Sequence, residues 1–237
     1  MLADVARAGP FFAVDTDPAT PPAAGRHPVA DLYAGDVALA ERIAHVRSAL
    51  RSDDRVAASI TYQGLAALLV SAPFAAVVVH GVLPALTPTA LHWTPRSGSP
   101  WELWCPEPGG VAVPDPDDAA DALAAAVVDA HLAPLAATVR AQVSVSERVL
   151  HGNAASTVAA ARRLVTAQWP ASAERAAHVA GRLLESGILA GTGERVAPQP
   201  PDRGWSFRRR SCCLYHRVPG GGLCGDCVLS RAGPRPR

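Results

Sequence analysis

The chain has 237 residues, of which 49% are hydrophobic and 18% are charged, so it can bury a substantial core and is not a disordered chain. The net charge is only +1, which excludes the strongly charged classes of protein. The N-terminus lacks the basic-then-apolar order of a secretory signal, and we therefore expect a cytoplasmic protein.

The first part of the chain divides by composition. Residues 1–30 are rich in Pro, Ala and Asp without a period, which predicts an irregular N-terminal segment. Residues 31–202 are predicted to form a mostly helical body. Its first helix is expected over residues 36–50 because apolar residues recur there at helical spacing.

The most apolar stretch follows this helix. Asp53 or Asp54 is expected to cap a second helix that ends near Val70, and Pro73 is expected to begin a third helix. The stretch from Gly64 to Val79 is sixteen residues long and contains Pro73. A membrane span needs about 18 or more apolar residues, so buried helices are the favoured interpretation.

A β-hairpin is predicted next, since bulky residues alternate over residues 91–94 and 101–104. It is expected to continue toward residues 111–113 and to be the only sheet. Trp93, Trp101 and Trp104 would either pack this sheet on the helices or line a ligand cleft. Cys105 is interpreted as a small buried apolar residue.

Helical patterns return from Pro116. Helices are predicted to about Leu132, from Pro134 to about Val143, from a cap at Ser146 or Asn153 to about Trp169, and from Ser172 to Gly187. Residues 191–204 are expected to be a linker. The predicted fold class is α+β and mostly helical, with a small antiparallel sheet near residues 90–113 and a cysteine-rich C-terminal segment over residues 203–237.

The cysteines are concentrated near the C-terminus: Cys212, Cys213, Cys224 and Cys227 lie within sixteen residues. Four cysteines so close together predict a metal centre. A four-thiolate zinc site usually takes its ligands in pairs two to four residues apart, and adjacent cysteines chelate one ion poorly. A thioredoxin-like dithiol should lie in a βαβ unit. The spacing favours a two-iron cluster and leaves zinc and the dithiol open.

The residues around these cysteines suit an anionic cluster. A turn at residues 219–222, with three glycines, would return the chain so that the two cysteine pairs meet. Residues 203–237 contain eight Arg and one acid, whereas residues 1–202 contain fourteen Arg and twenty acids. The C-terminal arginines would favour thiolates and the reduced cluster. No DNA- or RNA-recognition pattern accompanies them, so nucleic acid is not an expected partner.

Residues 209–215 and 220–227 resemble the C-terminal signature of the FhuF-type ferric siderophore reductases. The match includes the Cys-Cys pair, the ten-residue gap, the Cys-x-x-Cys pair and the flanking residues. Residues 152–156 also resemble an element of that family. The resemblance implies a [2Fe–2S] cluster on Cys212, Cys213, Cys224 and Cys227.

The resemblance also implies an activity: one-electron reduction of ferric siderophores, with no catalytic residue beyond the cluster. The expected partners are a ferric siderophore and an electron donor, either a ferredoxin or a reductase, and peripheral membrane contact is a further candidate. The alternatives are a non-enzymatic electron carrier or iron–sulfur sensor, and a zinc-stabilised binding module.

Overall fold

The computed structural model describes residues 1–20, 26–35, 37–96 and 100–231. The α-helices are α1 (Leu2–Val5), α2 (Val29–Tyr33), α3 (Val37–Leu50), α4 (Asp54–His80), α5 (Pro116–Leu123), α6 (Ala133–Gln142), α7 (Glu147–Gln168) and α8 (Ala173–Leu183). The strands are β1 (His27–Pro28), β2 (Val82–Leu83), β3 (His92–Thr94), β4 (Glu102–Trp104), β5 (Val111–Ala112), β6 (Gly193–Val196) and β7 (Ser206–Arg209). This confirms the predicted mostly helical α+β class.

Two long helices, α4 and α7, form the centre of the core and pack against each other. Asp53 begins α4, because its carboxylate accepts a hydrogen bond from the Val56 N–H at 2.9 Å. The prediction that Pro73 separates two helices is wrong: α4 is continuous, and Pro73 lies buried inside it. Proline removes one helical hydrogen bond, but Phe74 and the three residues after it are fully buried. Packing of these apolar side chains holds the helix together past the proline.

The predicted helix break at Pro134 is also wrong. A π-helical segment, Ala124–Leu132, joins α5 directly to α6. Within it His131 is 2% exposed, and its ring nitrogens lie 2.7 Å from the Tyr33 hydroxyl and 2.7 Å from the Leu86 carbonyl. These contacts hold the wide helical turn against the neighbouring elements, and burial lowers the pKa of His131.

Two stretches, Asp54–His80 and Pro116–Gln142, are long and apolar enough to cross a membrane by length and composition. In the most apolar windows of the two stretches, 78% and 50% of the residues are buried inside the protein. The first is a core helix, as expected from its sequence, and the chain is not clearly a membrane protein.

The predicted hairpin is confirmed: β3 pairs with β4 in antiparallel register, with Trp93 opposite Leu103. Part of its connecting loop, residues 97–99, lies outside the described residues. Trp93 and Trp101 are buried and stack with their ring centroids 4.3 Å apart. Trp93 and Trp101 therefore pack in the core, whereas Trp104 is only partly buried. Trp101 and Trp104 also line a cavity of about 460 Å³, so a role in a ligand cleft stays a prediction.

Two further sheets correct the expectation of a single one. β5 does not extend the hairpin but pairs with β2. The expected linker over residues 191–204 contains β6, which pairs with β7 and places Glu194 opposite Arg208 in an ion pair. This pairing connects residues on the two sides of the predicted boundary between residues 202 and 203. The domain boundaries themselves stay a prediction.

The N-terminal segment contains more structure than its composition indicates. Residues 2–12 form three short helical turns, and Leu2, Val5 and Phe12 are buried in the core. The composition gave no helical period because each turn is too short to show one. Asp36, expected at the start of α3, and residues 21–25 lie outside the described residues.

Candidate functional site

The cysteine-rich segment, residues 209–229, packs against one face of α7. Arg209 is 1% exposed, and its Nη2 donates hydrogen bonds to the Asn153 Oδ1 at 2.6 Å and to the Val149 carbonyl at 3.3 Å. Positions 149, 152 and 153 share a face of the helix because they lie three or four residues apart. The family-like stretch over residues 152–156 therefore forms the surface on which this segment rests.

Gly152 allows the segment to approach α7 closely. A Cβ at this position would lie 2.3 Å from the Ser211 Oγ and 3.0 Å from the Arg209 Nη2. The Ser211 hydroxyl is held there because it donates a hydrogen bond to the Arg148 carbonyl at 2.7 Å. A larger residue at position 152 would force the side chains of Ser211 and Arg209 to move from these positions.

We expect Gly152→Ala to lower the free energy of unfolding by about 1–3 kcal/mol, because the added methyl overpacks this contact. Gly64→Ala in α4 is the matched control, since its Cβ would meet no atom within 4 Å and alanine favours a helix by about 1 kcal/mol. Urea unfolding of both variants tests this. Equal or greater stability of Gly152→Ala would show that the close approach does not matter.

Asn153 connects the two central helices to the cysteines. Its Nδ2 donates to the Ser59 carbonyl and lies within hydrogen-bond distance of the Ser59 Oγ, both at 2.8 Å. The Ser59 hydroxyl in turn donates to the Cys213 carbonyl at 2.8 Å. Asn153 is therefore not the cap of α7, whose cap position is Ser146. It is fully buried and supports the backbone of Cys213.

The backbone turns sharply directly after the cysteine pair, so that a backbone N–H reaches a cysteine sulfur. Leu214, directly after the pair, has φ of 70°, in the left-handed region that non-glycine residues seldom occupy. Its N–H donates to the Cys212 Sγ at 3.3 Å, and the Leu229 N–H donates to the Cys227 Sγ at the same distance. Hydrogen bonds of this kind stabilise thiolates and raise the potential of a cluster bound to them.

The turn over residues 219–222 returns the chain as predicted. Gly220 has φ of 72°, and a Cβ on Gly221 would lie 2.6 Å from the Tyr215 carbonyl. The turn brings the thiols of Cys213 and Cys224 into hydrogen-bond contact. That hydrogen bond lowers the pKa of Cys213 to about 6 and raises the pKa of Cys224.

The four cysteines differ in exposure. Cys213 and Cys227 are each 3% exposed, whereas Cys212 and Cys224 are half-buried. Burial raises the pKa of Cys212, and the His216 Nδ1 lies 3.2 Å from its sulfur. One side of the site therefore faces the core, and the other side can be reached from the surface.

The surroundings of the sulfurs fit an anionic cluster, because backbone N–H groups donate to the sulfurs of Cys212 and Cys227. Among the described ranges, no three His, Cys, Asp or Glu side chains lie close enough together to hold one metal ion. Cys212, Cys213, Cys224 and Cys227 remain the predicted ligands of a [2Fe–2S] cluster.

Cys105 takes no part in this site. It is 1% exposed at the end of the hairpin, and its N–H donates to the Asp15 carbonyl at 2.9 Å. Burial raises the pKa of its thiol, which keeps it protonated and a poor ligand.

A buried ion pair anchors the chain just before β7, and no pattern in the sequence predicts it. The Arg162 Nη2 lies 2.9 Å from the Asp202 Oδ1, with side chains 2% and 4% exposed. Arg162 also donates to the carbonyls of Arg203 and Trp205 and lies 3.9 Å from the centroid of the Trp205 ring. Phe207, on β7, belongs to the main core. Trp205 and Phe207 thus attach the cysteine-rich segment to the helical body.

Comparison with known families gives a direct match to this segment. Residues 209–229 match the family model described as the FhuF 2Fe-2S C-terminal domain. No curated protein matches the chain. The match begins at the buried Arg209 and contains all four clustered cysteines. Residues 209–229 thus match a 2Fe–2S domain, and the cofactor of the protein is a [2Fe–2S] cluster.

Proposed function

We propose that the protein is a one-electron reductase of ferric siderophores. The match of residues 209–229 to the FhuF 2Fe–2S C-terminal domain carries this proposal. Siderophores hold ferric ion through hard oxygen donors and hold ferrous ion far more weakly. Transfer of one electron therefore releases the iron without any acid–base or nucleophilic residue.

The chain's own residues hold the cysteines in position and leave one side of the site accessible to an electron acceptor. When bound, a [2Fe–2S] cluster supplies one electron at a time. Ser59 and Asn153 fix the Cys213 backbone from the core side, and half-buried Cys212 and Cys224 leave the other side open to an acceptor. A polar cavity of about 260 Å³ lies next to Cys227 and is lined by both arginines and acids, Arg163, Arg208, Asp202 and Asp226.

The proposed electron donor is a ferredoxin or a reductase. Tyr215, Leu223 and Leu229 are 38%, 55% and 38% exposed around the half-buried cysteines. Exposed apolar residues beside a redox centre suit the docking of a protein partner. Leu223→Glu should then slow reduction by the donor protein while reduction by dithionite is unchanged. Equal slowing by both reductants would argue against docking at this face.

The proposed compartment is the cytoplasm. All five cysteines are free thiols, and thiols persist in a reducing compartment. Cell fractionation with an antibody to the protein tests this, and recovery from an extracytoplasmic fraction would contradict it.

The reductase proposal is tested by single-turnover oxidation. The protein is reduced with dithionite without oxygen, freed of reductant and mixed with a ferric hydroxamate complex. We expect rapid return of the oxidised spectrum and about one ferrous ion per chain, captured by a coloured chelator. The gallium complex of the same ligand is the control, since it has the same shape and charge but accepts no electron under these conditions.

Oxidation no faster with the ferric complex than with the gallium complex would contradict a reductase. The non-enzymatic alternatives predict other outcomes: an electron carrier would pass its electron only to a protein acceptor, and a sensor would bind DNA or a partner in a cluster-dependent way. The match to a 2Fe–2S domain argues against the zinc-stabilised module.

A further inference from the structure

Arg209 is a buried cation whose charge has no carboxylate partner within ion-pair distance in the part of the chain that the structure describes. Among the described residues, Nη2 is the one guanidinium nitrogen that donates hydrogen bonds, to the amide oxygen of Asn153 and to a carbonyl of α7. Its Nε and Nη1 are buried and meet no acceptor among the described residues. A guanidinium left in this condition costs several kcal/mol unless something anionic neutralises it.

The other fully buried arginine shows what is missing. Arg162 is as buried as Arg209, but its guanidinium pairs with Asp202 at 2.9 Å. The acid beside Arg209 is Asp226, and it presents its backbone carbonyl, which accepts the Arg209 N–H at 3.1 Å. The Asp226 carboxylate lies within ion-pair distance of the Arg163 Nη1, at 3.9 Å, and not of Arg209. No described carboxylate therefore pairs directly with the Arg209 guanidinium.

Contacts of Arg209 place its guanidinium beside the cysteines. Asn153 accepts from the Arg209 Nη2 at 2.6 Å and is bonded to Ser59, whose hydroxyl donates to the Cys213 carbonyl at 2.8 Å. The Arg209 backbone N–H is also bonded to the carbonyl of Asp226, the residue directly before Cys227. Four thiolates leave a [2Fe–2S] cluster anionic, and the reduced form carries one more negative charge. A buried cation next to the cluster therefore stabilises the reduced form more than the oxidised form.

We propose that Arg209 is the counter-cation of the cluster and that it raises the reduction potential. This inference rests on the cluster and not on the proposed substrate, so it stands or falls separately from siderophore reduction.

Asn153 sets the direction of the guanidinium. Its Nδ2 must face Ser59, because the Ser59 carbonyl can only accept a hydrogen bond. The Asn153 Oδ1 is then turned toward Arg209 and accepts from its Nη2. Because Asn153 holds Nη2 and the guanidinium is planar, the orientation of the group is set. Its Nε and Nη1 lie on its other edges.

The test is the midpoint potential of the loaded protein, measured by spectroscopic redox titration. For Arg209→Gln we expect the ratio of reduced to oxidised cluster at a fixed potential to fall at least about tenfold, or about 59 mV for a one-electron couple. Arg209→Lys should give a smaller fall in the same direction, because it keeps the charge but loses the planar fork.

Arg210→Gln is the matched control, as it removes the same charge from the next residue. Arg210 is exposed, with its Nη1 3.4 Å from the Gly191 carbonyl. Water and salt screen its charge, so we expect a much smaller shift in potential. Visible and electron paramagnetic resonance spectra confirm that each variant still contains the cluster.

Several outcomes would overturn the proposal. One is an unchanged potential in both Arg209 variants, and another is a shift in Arg209→Gln no larger than that in Arg210→Gln. If Arg209→Gln does not take up a cluster, Arg209→Lys decides by the direction of its shift. Failure of both variants to take up a cluster, with Arg210→Gln loaded, would make Arg209 a folding residue and contradict a role in tuning the potential.

Discussion

Cys224→Ser should remove the visible absorption of the cluster, whereas Cys105→Ser should leave that spectrum unchanged. Cys224 is half-buried, and its thiol is in hydrogen-bond contact with that of Cys213. Replacing it removes one of the four predicted thiolate ligands, and a protonated hydroxyl is a poor substitute. We expect nearly all of the cluster iron to be lost on purification.

Cys105→Ser is the control because it makes the same chemical change at a buried position in the hairpin. Iron content and the absorption spectrum of the two variants, purified side by side without oxygen, provide the comparison. A normal spectrum in Cys224→Ser, or an altered one in Cys105→Ser, would show that the ligands have been assigned wrongly.

Asp202→Ala should destabilise the protein by about 3–5 kcal/mol, since it leaves the buried Arg162 guanidinium without its counter-charge. Asp202 also lies 3.3 Å from the Arg163 Nη1, so two cations lose the same partner. Because the Arg162–Asp202 pair anchors the chain that leads into β7, the cysteine-rich segment should detach from the helical body before the rest of the protein unfolds. Equilibrium unfolding in urea, followed by circular dichroism, measures the loss.

Glu185→Ala is the matched control for this second prediction. Glu185 pairs with Arg195 at 2.8 Å, but the two side chains are 58% and 49% exposed. An exposed ion pair contributes less than about 1 kcal/mol, so this variant should unfold almost like the native protein. Equal effects of the two substitutions would mean that the Arg162–Asp202 pair is not an anchor.

The sequence correctly predicted those parts of the molecule that are encoded by residues close together in the chain. The spacing of the four cysteines and the glycine turn between them indicated the site, and the structure brings Cys213 and Cys224 into contact through that turn. The alternation of bulky residues in the hairpin likewise predicted the pairing of β3 with β4.

The failures share a physical cause, which is that tertiary packing overrides local preference. Pro73 is a helix breaker in isolation, yet burial on both sides keeps α4 continuous. The strands β5 and β6 are too short to show a period, and each is defined only by its partner.

The residues that hold the cysteines in place could not be predicted from the sequence either, because they lie far apart in the chain. Ser59 and Asn153 are 94 residues apart in sequence, and Asn153 and Arg209 are 56 apart. Arg209 was one of several arginines near the cysteines, and only the structure shows that it is buried while Arg210 is exposed. The one available sign was the family-like stretch over residues 152–156, which the structure explains as the contact surface of the cysteine-rich segment.

The most direct test is the metal and sulfide content of the protein purified without oxygen, read together with its visible spectrum. A two-iron cluster on Cys212, Cys213, Cys224 and Cys227 predicts about two irons and two acid-labile sulfides per chain, with a coloured spectrum that bleaches on reduction. A colourless protein with about one zinc per chain and no sulfide would contradict it.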